Sequence, residues 1–295
     1  MSKILITGAT GGLGSAVATL FKKQAPSSDI AVLVRDGNSE KALRLAGQGF
    51  ETRIGSYDDK DSLLKAFDGV DVLYFVSGSD VVARVPQHQN VVQAAKEAGV
   101  DHIFYTSASL NDLSEDAPLY GAMSAHIQTE EWIKASGIKY TLLRHNLYSE
   151  VIAMFLGTKE QLLAGKTVFL PTGSGRTAFV SRAELAEAGA KLLARPSAHV
   201  NKIYELNGNE KITFAQIAGY LSEISGQEIG YVSPDVKTFE DTLTKYGVPA
   251  EYIGMMTVFG LAIADGVFDA PTTDLDKILG RKSQPVAEFL RTVYG

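Results

Sequence analysis

An α/β fold is predicted, with a doubly wound parallel sheet followed by a smaller, mostly helical C-terminal lobe. Three observations carry it. Apolar runs alternate with helix-like stretches from residue 3 to about residue 150, a glycine-rich turn joins the first run to the first helix, and the alternation stops after Ser149. Strictly alternating strand and helix implies right-handed crossovers and parallel strands covered on both faces. That is Rossmann-type architecture.

The elements follow in order. Strands are predicted over 3–7, 29–35, 50–56, 71–78, 102–107 and 140–145, where apolar and β-branched residues run together. Helices are predicted between them over 12–24, 40–46, 61–67, 87–98 and 125–135, from apolar positions three and four apart. Beyond residue 149 helical patterns dominate, with a short strand over 203–206 and a helix capped by Thr213 running to about Ser225. Ser181, with Glu184 three residues on, reads as a capping box opening another helix. No Ser/Gly/Pro linker and no repeat separates the halves, so 150–295 is expected to pack on 1–149 rather than hang from it. Met154 and Phe155 are read as core.

Composition narrows the function. With 28 basic and 34 acidic side chains the formal net charge is −6, which gives no footing for a nucleic-acid partner. There is no cysteine, so disulfides and thiolate chemistry are excluded. The first strand begins at residue 3, and no apolar run approaches the ~20 residues of a membrane span, so a cytoplasmic protein is expected. The five histidines show no paired ligand spacing, and there is no G-x-S-x-G elbow. No metal is expected.

The segment ITGATGGLG, 6–14, is the strongest local signal. Gly8 permits the tight turn, Gly11 lets the backbone approach a pyrophosphate, and Gly14 allows close packing of helix on strand. Thr10, Gly12 and Leu13 complete the turn and bring the unpaired amides and positive dipole end of the helix to the ligand. Residues 1–149 are therefore read as an NAD(P)-binding domain and 150–295 as a substrate-side lobe. The second strand ends in Arg35, which suits the 2′-phosphate of NADP; Asp36 beside it leaves NADH usable. NADPH is the expected cofactor, with NADH possible. Ser77 and Gly78, after the fourth strand, are expected beside the ribose and phosphates, and Tyr57 beside the adenine.

The G-x-x-G-x-x-G spacing is that of the short-chain dehydrogenase/reductase superfamily. The chain more narrowly resembles its NmrA-like, atypical branch, in "LVRD", "VLYFVSG", "AAKEAGVDHIFYTS", "HIQTEEWIKASGIKYTLLRHNLYSE" and "GSGRTAFVSRAELAEA". Within that branch the likeness is to reductases of quinones and triphenylmethane dyes. The resemblance implies a hydroxyl near the nicotinamide, at Thr106 or Ser107, and an adenine contact where this chain has Ser56 in place of the usual Asp. It also implies a Tyr-x-x-x-Lys proton relay in the ketone reductases, which is missing here: Tyr120 is followed by Ser124, and the alternative register places Ala122 and His126 at those positions. A quinone or dye needs no such relay, because its reduced anion is delocalised and readily protonated. An unactivated ketone would lose roughly 10²–10⁴ in rate. His126, Asn146 and Tyr148 are the candidates for orienting the nicotinamide, binding the acceptor or donating a proton.

The expected partner is a small quinone or dye-like acceptor, with no nucleic acid and no membrane span. A homodimer leaves no readable signature and stays open. The same branch also holds regulators that bind NAD(P) without turning it over, which is the alternative reading, and the segment 172–188 is assigned to structure and inter-lobe packing.

Overall fold

The computed structural model describes residues 2–295 except 27, 112, 113, 118, 271 and 272. The first half alternates without interruption: β1 (Lys3–Ile6), α1 (Gly12–Gln24), β2 (Asp29–Val34), α2 (Glu40–Gly47), β3 (Glu51–Ile54), α3 (Lys60–Phe67), β4 (Val72–Phe75), α4 (Arg84–Glu97), β5 (His102–Ala108), α5 (Tyr120–Ser136) and β6 (Lys139–His145). The second half contains α6 (Glu150–Leu156), α7 (Lys159–Gly165), β7 (Thr167–Phe169), α8 (Arg182–Leu193), β8 (Lys202–Leu206), α9 (Phe214–Ser225), β9 (Gly230–Val232), α10 (Val236–Lys245), α11 (Ala250–Ala264), α12 (Leu275–Leu279) and α13 (Val286–Tyr294). None of the described helices is long and apolar enough to cross a membrane.

The main sheet has the order β3-β2-β1-β4-β5-β6-β8, and every pair is parallel. Its strands alternate between two cores because successive side chains point to opposite faces. Ile4, Ile6, Ile30, Val32, Val34, Val72, Tyr74, Phe104 and Leu143 enter one, beneath α1, α2, α8 and α12. Leu5, Ala31, Leu33, Leu73, Phe75, Ile103, Tyr105 and Leu142 enter the other, beneath α3, α4 and α5. A third core joins Leu147 and Ile152 to the helices that follow. The strand order reverses between β1 and β4, which opens a crevice at their carboxyl ends.

Packing crosses the line near residue 149. The predicted strand at 203–206 is β8, seventh in the main sheet, and α8 packs along α1. Helix α4 starts earlier than the pattern predicted, because Pro86 sits in its first turn, where a missing N–H costs nothing. The pair β7–β9 was not foreseen, since three residues each are too few to show a period. Ser181 caps α8 by accepting from the Glu184 amide at 3.3 Å, but the capping box is not closed. The Glu184 carboxylate instead accepts from Arg281 at 2.6 Å and from the Gln284 amide at 2.9 Å, fastening the C-terminal segment. Phe155 is buried in the third core as expected; Met154 is 47% exposed and is not core.

The contact of α8 with the sheet is close at Gly189, where an added Cβ would overlap the Tyr74 hydroxyl. That hydroxyl is buried and has no partner among the described residues. Gly189→Ala is therefore expected to destabilise the fold by about 1–3 kcal/mol through overpacking. Adding Tyr74→Phe, which deletes the overlapped atom, should recover most of that loss in urea unfolding.

Candidate active site

A cavity of about 640 Å³ fills the crevice at the carboxyl ends of β1, β2 and β4. The sequence-predicted residues Gly8, Thr10, Gly11, Gly12, Leu13, Gly14, Arg35, Ser77, Gly78, Thr106 and Tyr148 all line it. The turn after β1 is built as its glycines require. Gly8 has φ +62°, and a Cβ there would lie 2.9 Å from Val76; a Cβ on Gly14 would lie 2.5 Å from the Gly8 carbonyl oxygen. Only hydrogen atoms fit at both places.

The amino end of α1 meets the cavity without a cap. Gly11 offers no side-chain hydrogen bond, and the first turn holds no acid, whereas Ser39, Asp59, Thr158, Ser181, Thr213 and Asp235 cap α2, α3, α7, α8, α9 and α10. Free amides at the positive end of a helix dipole form an anion cradle. Three cations also face this cavity: Arg35, Lys41 and Arg182. Arg35 is exposed and makes no ion pair or hydrogen bond among the described residues. Lys41 reaches back over the turn to donate to the Thr10 carbonyl at 3.1 Å. Asp36 does not turn inward; its carboxylate accepts from the Asn38 amide at 2.8 Å. A dinucleotide pyrophosphate and a 2′-phosphate match this donor set.

The opposite wall is held from behind. Thr7 Oγ1 and the Val76 carbonyl receive the Tyr57 hydroxyl, so the Tyr57 ring is fixed as a side wall, and Ser56 lies next to it. The Ser77 amide donates to Thr106 Oγ1 at 2.9 Å. The Gly78 amide donates to His88 Nε2 at 3.0 Å, and the Gly78 carbonyl accepts from Arg84 Nε at 2.8 Å. Because Nε2 of His88 is an acceptor, its proton sits on Nδ1 and is donated to Thr129 Oγ1 at 2.8 Å. Arg84, 7% exposed, also donates to the Ala122 carbonyl and faces His126 Nε2 at 3.5 Å.

Three expected site residues lie elsewhere. Ser107 does not reach the cavity; its hydroxyl donates to Glu130 at 2.7 Å, and Glu130 is gripped by Arg144 at 2.9 and 2.7 Å. Burial pushes the Glu130 carboxyl up, but Arg144 and Ser107 together outweigh it and hold the group below its usual value. His126 stands on the buried face of α5, with Nδ1 2.9 Å from the Tyr105 hydroxyl. An arginine cannot accept, so His126 Nε2 carries no proton and Nδ1–H donates to Tyr105. Burial first, then Arg84 nearby, keeps its imidazole neutral, which removes it as a proton donor. Asn146 is also spent on structure: its amide donates to Asn207 at 3.0 Å and to the Phe268 carbonyl at 3.1 Å, while its oxygen accepts from the Leu147 amide. Of the candidates His126, Asn146 and Tyr148, only Tyr148 lines the cavity, its hydroxyl 3.3 Å from His145 Nδ1.

Lys41 and Arg182 are the cationic cavity residues that the pattern did not single out. Both stand in the first turn of a helix, α2 and α8, where a cation opposes the dipole. That misplacement was the available signal. A more open depression of about 1060 Å³ lies between α8 and the segment before α13, but its Glu184 and Glu187 are already paired with Arg281. No cluster able to hold a metal ion occurs among the described residues.

The family model described as NmrA-like matches residues 1–290. The chain belongs to the NmrA-like family. Among its relatives is quinone oxidoreductase 2 of Escherichia coli, 37% identical over 292 residues, which are 99% of this chain and 98% of that one. The solved structure of that NADPH-dependent enzyme, complexed with NADPH, superposes with a TM-score of 0.88 at 36% identity, covering 99% of this chain and 100% of the other. Triphenylmethane reductase of Citrobacter sp. superposes with a TM-score of 0.87 at 36% identity and 99% coverage of both.

The buried histidines give the NmrA-like chain a definite pH response. Burial, with Arg84 adding to it, pushes His88 down to about 3; burial alone pushes His145 to about 3 and, as the main cause, His102 to about 4. Above the ordinary histidine value of 6.5 both folded and unfolded states are neutral there. Below it the unfolded chain takes up protons that the folded one cannot, so stability falls as pH falls, by up to about 1.4 kcal/mol per pH unit for each histidine. Urea midpoints are expected to drop from pH 6.5 downward, well before carboxylates titrate, while turnover shows no histidine inflection between pH 6 and 8.

Proposed function

We propose that this protein is an NADPH-preferring reductase that passes hydride to quinones and to related conjugated electrophiles such as dyes. The single observation that carries the reading is the cavity: an uncapped, acid-free helix amino end joined to unpaired Arg35 and to Lys41, in a fold shared with NADPH-dependent quinone and dye reductases. Gly8, Thr10, Gly11, Gly12, Leu13 and Gly14 would hold the pyrophosphate, Arg35 and Lys41 the 2′-phosphate. Tyr57 and Ser56 would flank the adenine. Ser77, Gly78 and Thr106 would line the path to the nicotinamide, and Tyr148 would form the acceptor side.

The bound cofactor supplies the hydride, and the protein's contribution is orientation and exclusion of water. Reduction of a quinone needs one hydride and one proton. No tyrosine–lysine relay is present to supply that proton, and the imidazoles behind the cavity wall, those of His88, His126 and His145, are neutral. The product anion is instead protonated by solvent, which suits delocalised acceptors and not simple ketones. The reading includes a small-molecule acceptor, a cytoplasmic location, no nucleic-acid partner and a homodimer as the compatible assembly.

Purified protein mixed with NADPH or NADH and a simple benzoquinone should show rapid, saturable loss of reduced-nicotinamide absorbance over a protein-free control. Tight NADPH binding without oxidation of any quinone or dye would instead mark a redox-sensing regulator. Arg35→Glu should weaken NADPH by about 10–100-fold, the worth of a charge-assisted contact, and leave NADH within a few-fold. Equal losses for both cofactors would remove Arg35 from the 2′-phosphate.

A further inference from the structure

The second lobe puts one side chain into the cofactor cavity, and its surroundings define what it can bind. Arg182 begins α8, and its side chain runs past the glycine turn, 3.7 Å from where a Cβ on Gly12 would stand. Its guanidinium lies 4.6 Å above the centre of the Tyr148 ring. The only carboxylate beside it among the described residues is Glu150, at 3.7 Å, with both side chains about one-third exposed. That separation is too long for a hydrogen bond, and a pair so exposed contributes little. Glu150 makes its close contacts with the Arg182 backbone amide instead, at 3.1 and 3.3 Å. All five guanidinium N–H donors are therefore unspent, on a side chain next to the uncapped amides of α1.

We propose that Arg182 is a third cationic ligand of the dinucleotide, gripping the pyrophosphate from the C-terminal lobe opposite the amino end of α1. Two observations converge on this ligand chemistry: a planar fork of free donors suited to a pair of phosphate oxygens, and a facing helix end that no side chain among the described residues caps. Its place beside Gly12, rather than beside Arg35, assigns it to the part of the molecule that NADPH and NADH share. The inference rests on the reductase reading above, since it requires a dinucleotide in this cavity.

The test is equilibrium binding, followed by titration calorimetry, of NADPH, NADH and ADP-ribose to the wild type, Arg182→Gln and Arg182→Lys. The expected result is a loss of about 10–100-fold in affinity for all three ligands in Arg182→Gln, by similar factors, with Arg182→Lys between it and the wild type. Thermal melting of the ligand-free proteins checks folding, and Arg182→Lys answers the question if Arg182→Gln does not fold. Unchanged affinities would overturn the proposal. So would a loss confined to NADPH, which would move Arg182 to the 2′-phosphate, or a loss that spares ADP-ribose, which would place its action at the nicotinamide. Failure of the wild type to bind any of the three ligands would sink the reductase reading itself.

Discussion

Everything at the carboxyl edge of the sheet depends on how near α1 comes to β1. A side chain at Gly14 would collide with the Gly8 carbonyl, so the helix starts directly beneath the turn and its free amides open into the crevice. A cap or an acidic residue in the first turn would satisfy those amides, and the chain supplies neither. It adds to the positive potential, placing Lys41 and Arg182 in the first turns of two further helices that converge on the same space. Each such placement costs about 0.3–1 kcal/mol against the dipole. A polyanion held in the crevice offsets all of these costs together, and the site is arranged around that one charge balance.

The wall facing the turn is stiffened by groups that never reach the cavity. Arg84 and His88 take the carbonyl and the amide of Gly78, so the loop after β4 has both its polar backbone groups engaged from behind. His126, which resembles a catalytic residue by position, serves as an acceptor for that buried arginine. Neutral imidazoles do this work well because their two nitrogens can be assigned one donor and one acceptor role by their neighbours. The polar core beneath the site is thus a scaffold rather than a proton path.

Most of the fold was legible because it is periodic. Six strands and five helices of the first half announce themselves by apolar spacing, and the glycine turn by chemistry that only a missing Cβ allows. The parts that were not legible fall into two kinds. Short elements such as β7 and β9 carry too few residues for a pattern, and β8 gave no hint that it would return to the main sheet, because strand neighbourhood is a tertiary fact. For the site, position along a strand marked Arg35, Thr106 and Tyr148, but could not show that Asn146 would be drawn into ties with Asn207 and Phe268 or that Ser107 would face Glu130. Those outcomes depend on partners 23 to 122 residues away.

The late return of α8 and β8 also bears on how the chain is made. One face of the sheet, with Tyr74, Phe104 and Leu143 on it, has no complete cover until residues 182–206 have been synthesised, and α12 arrives later still. At ribosomal speeds of about 5–20 residues per second, that face stays open for several seconds after β6 emerges. A nascent chain in that interval presents an apolar sheet surface and an unpaired edge at β6, both of which favour contact with other unfolded chains. The same connection that lets the second lobe reach over the cofactor cleft makes the newborn protein a client for whatever shields hydrophobic sheets in the cell.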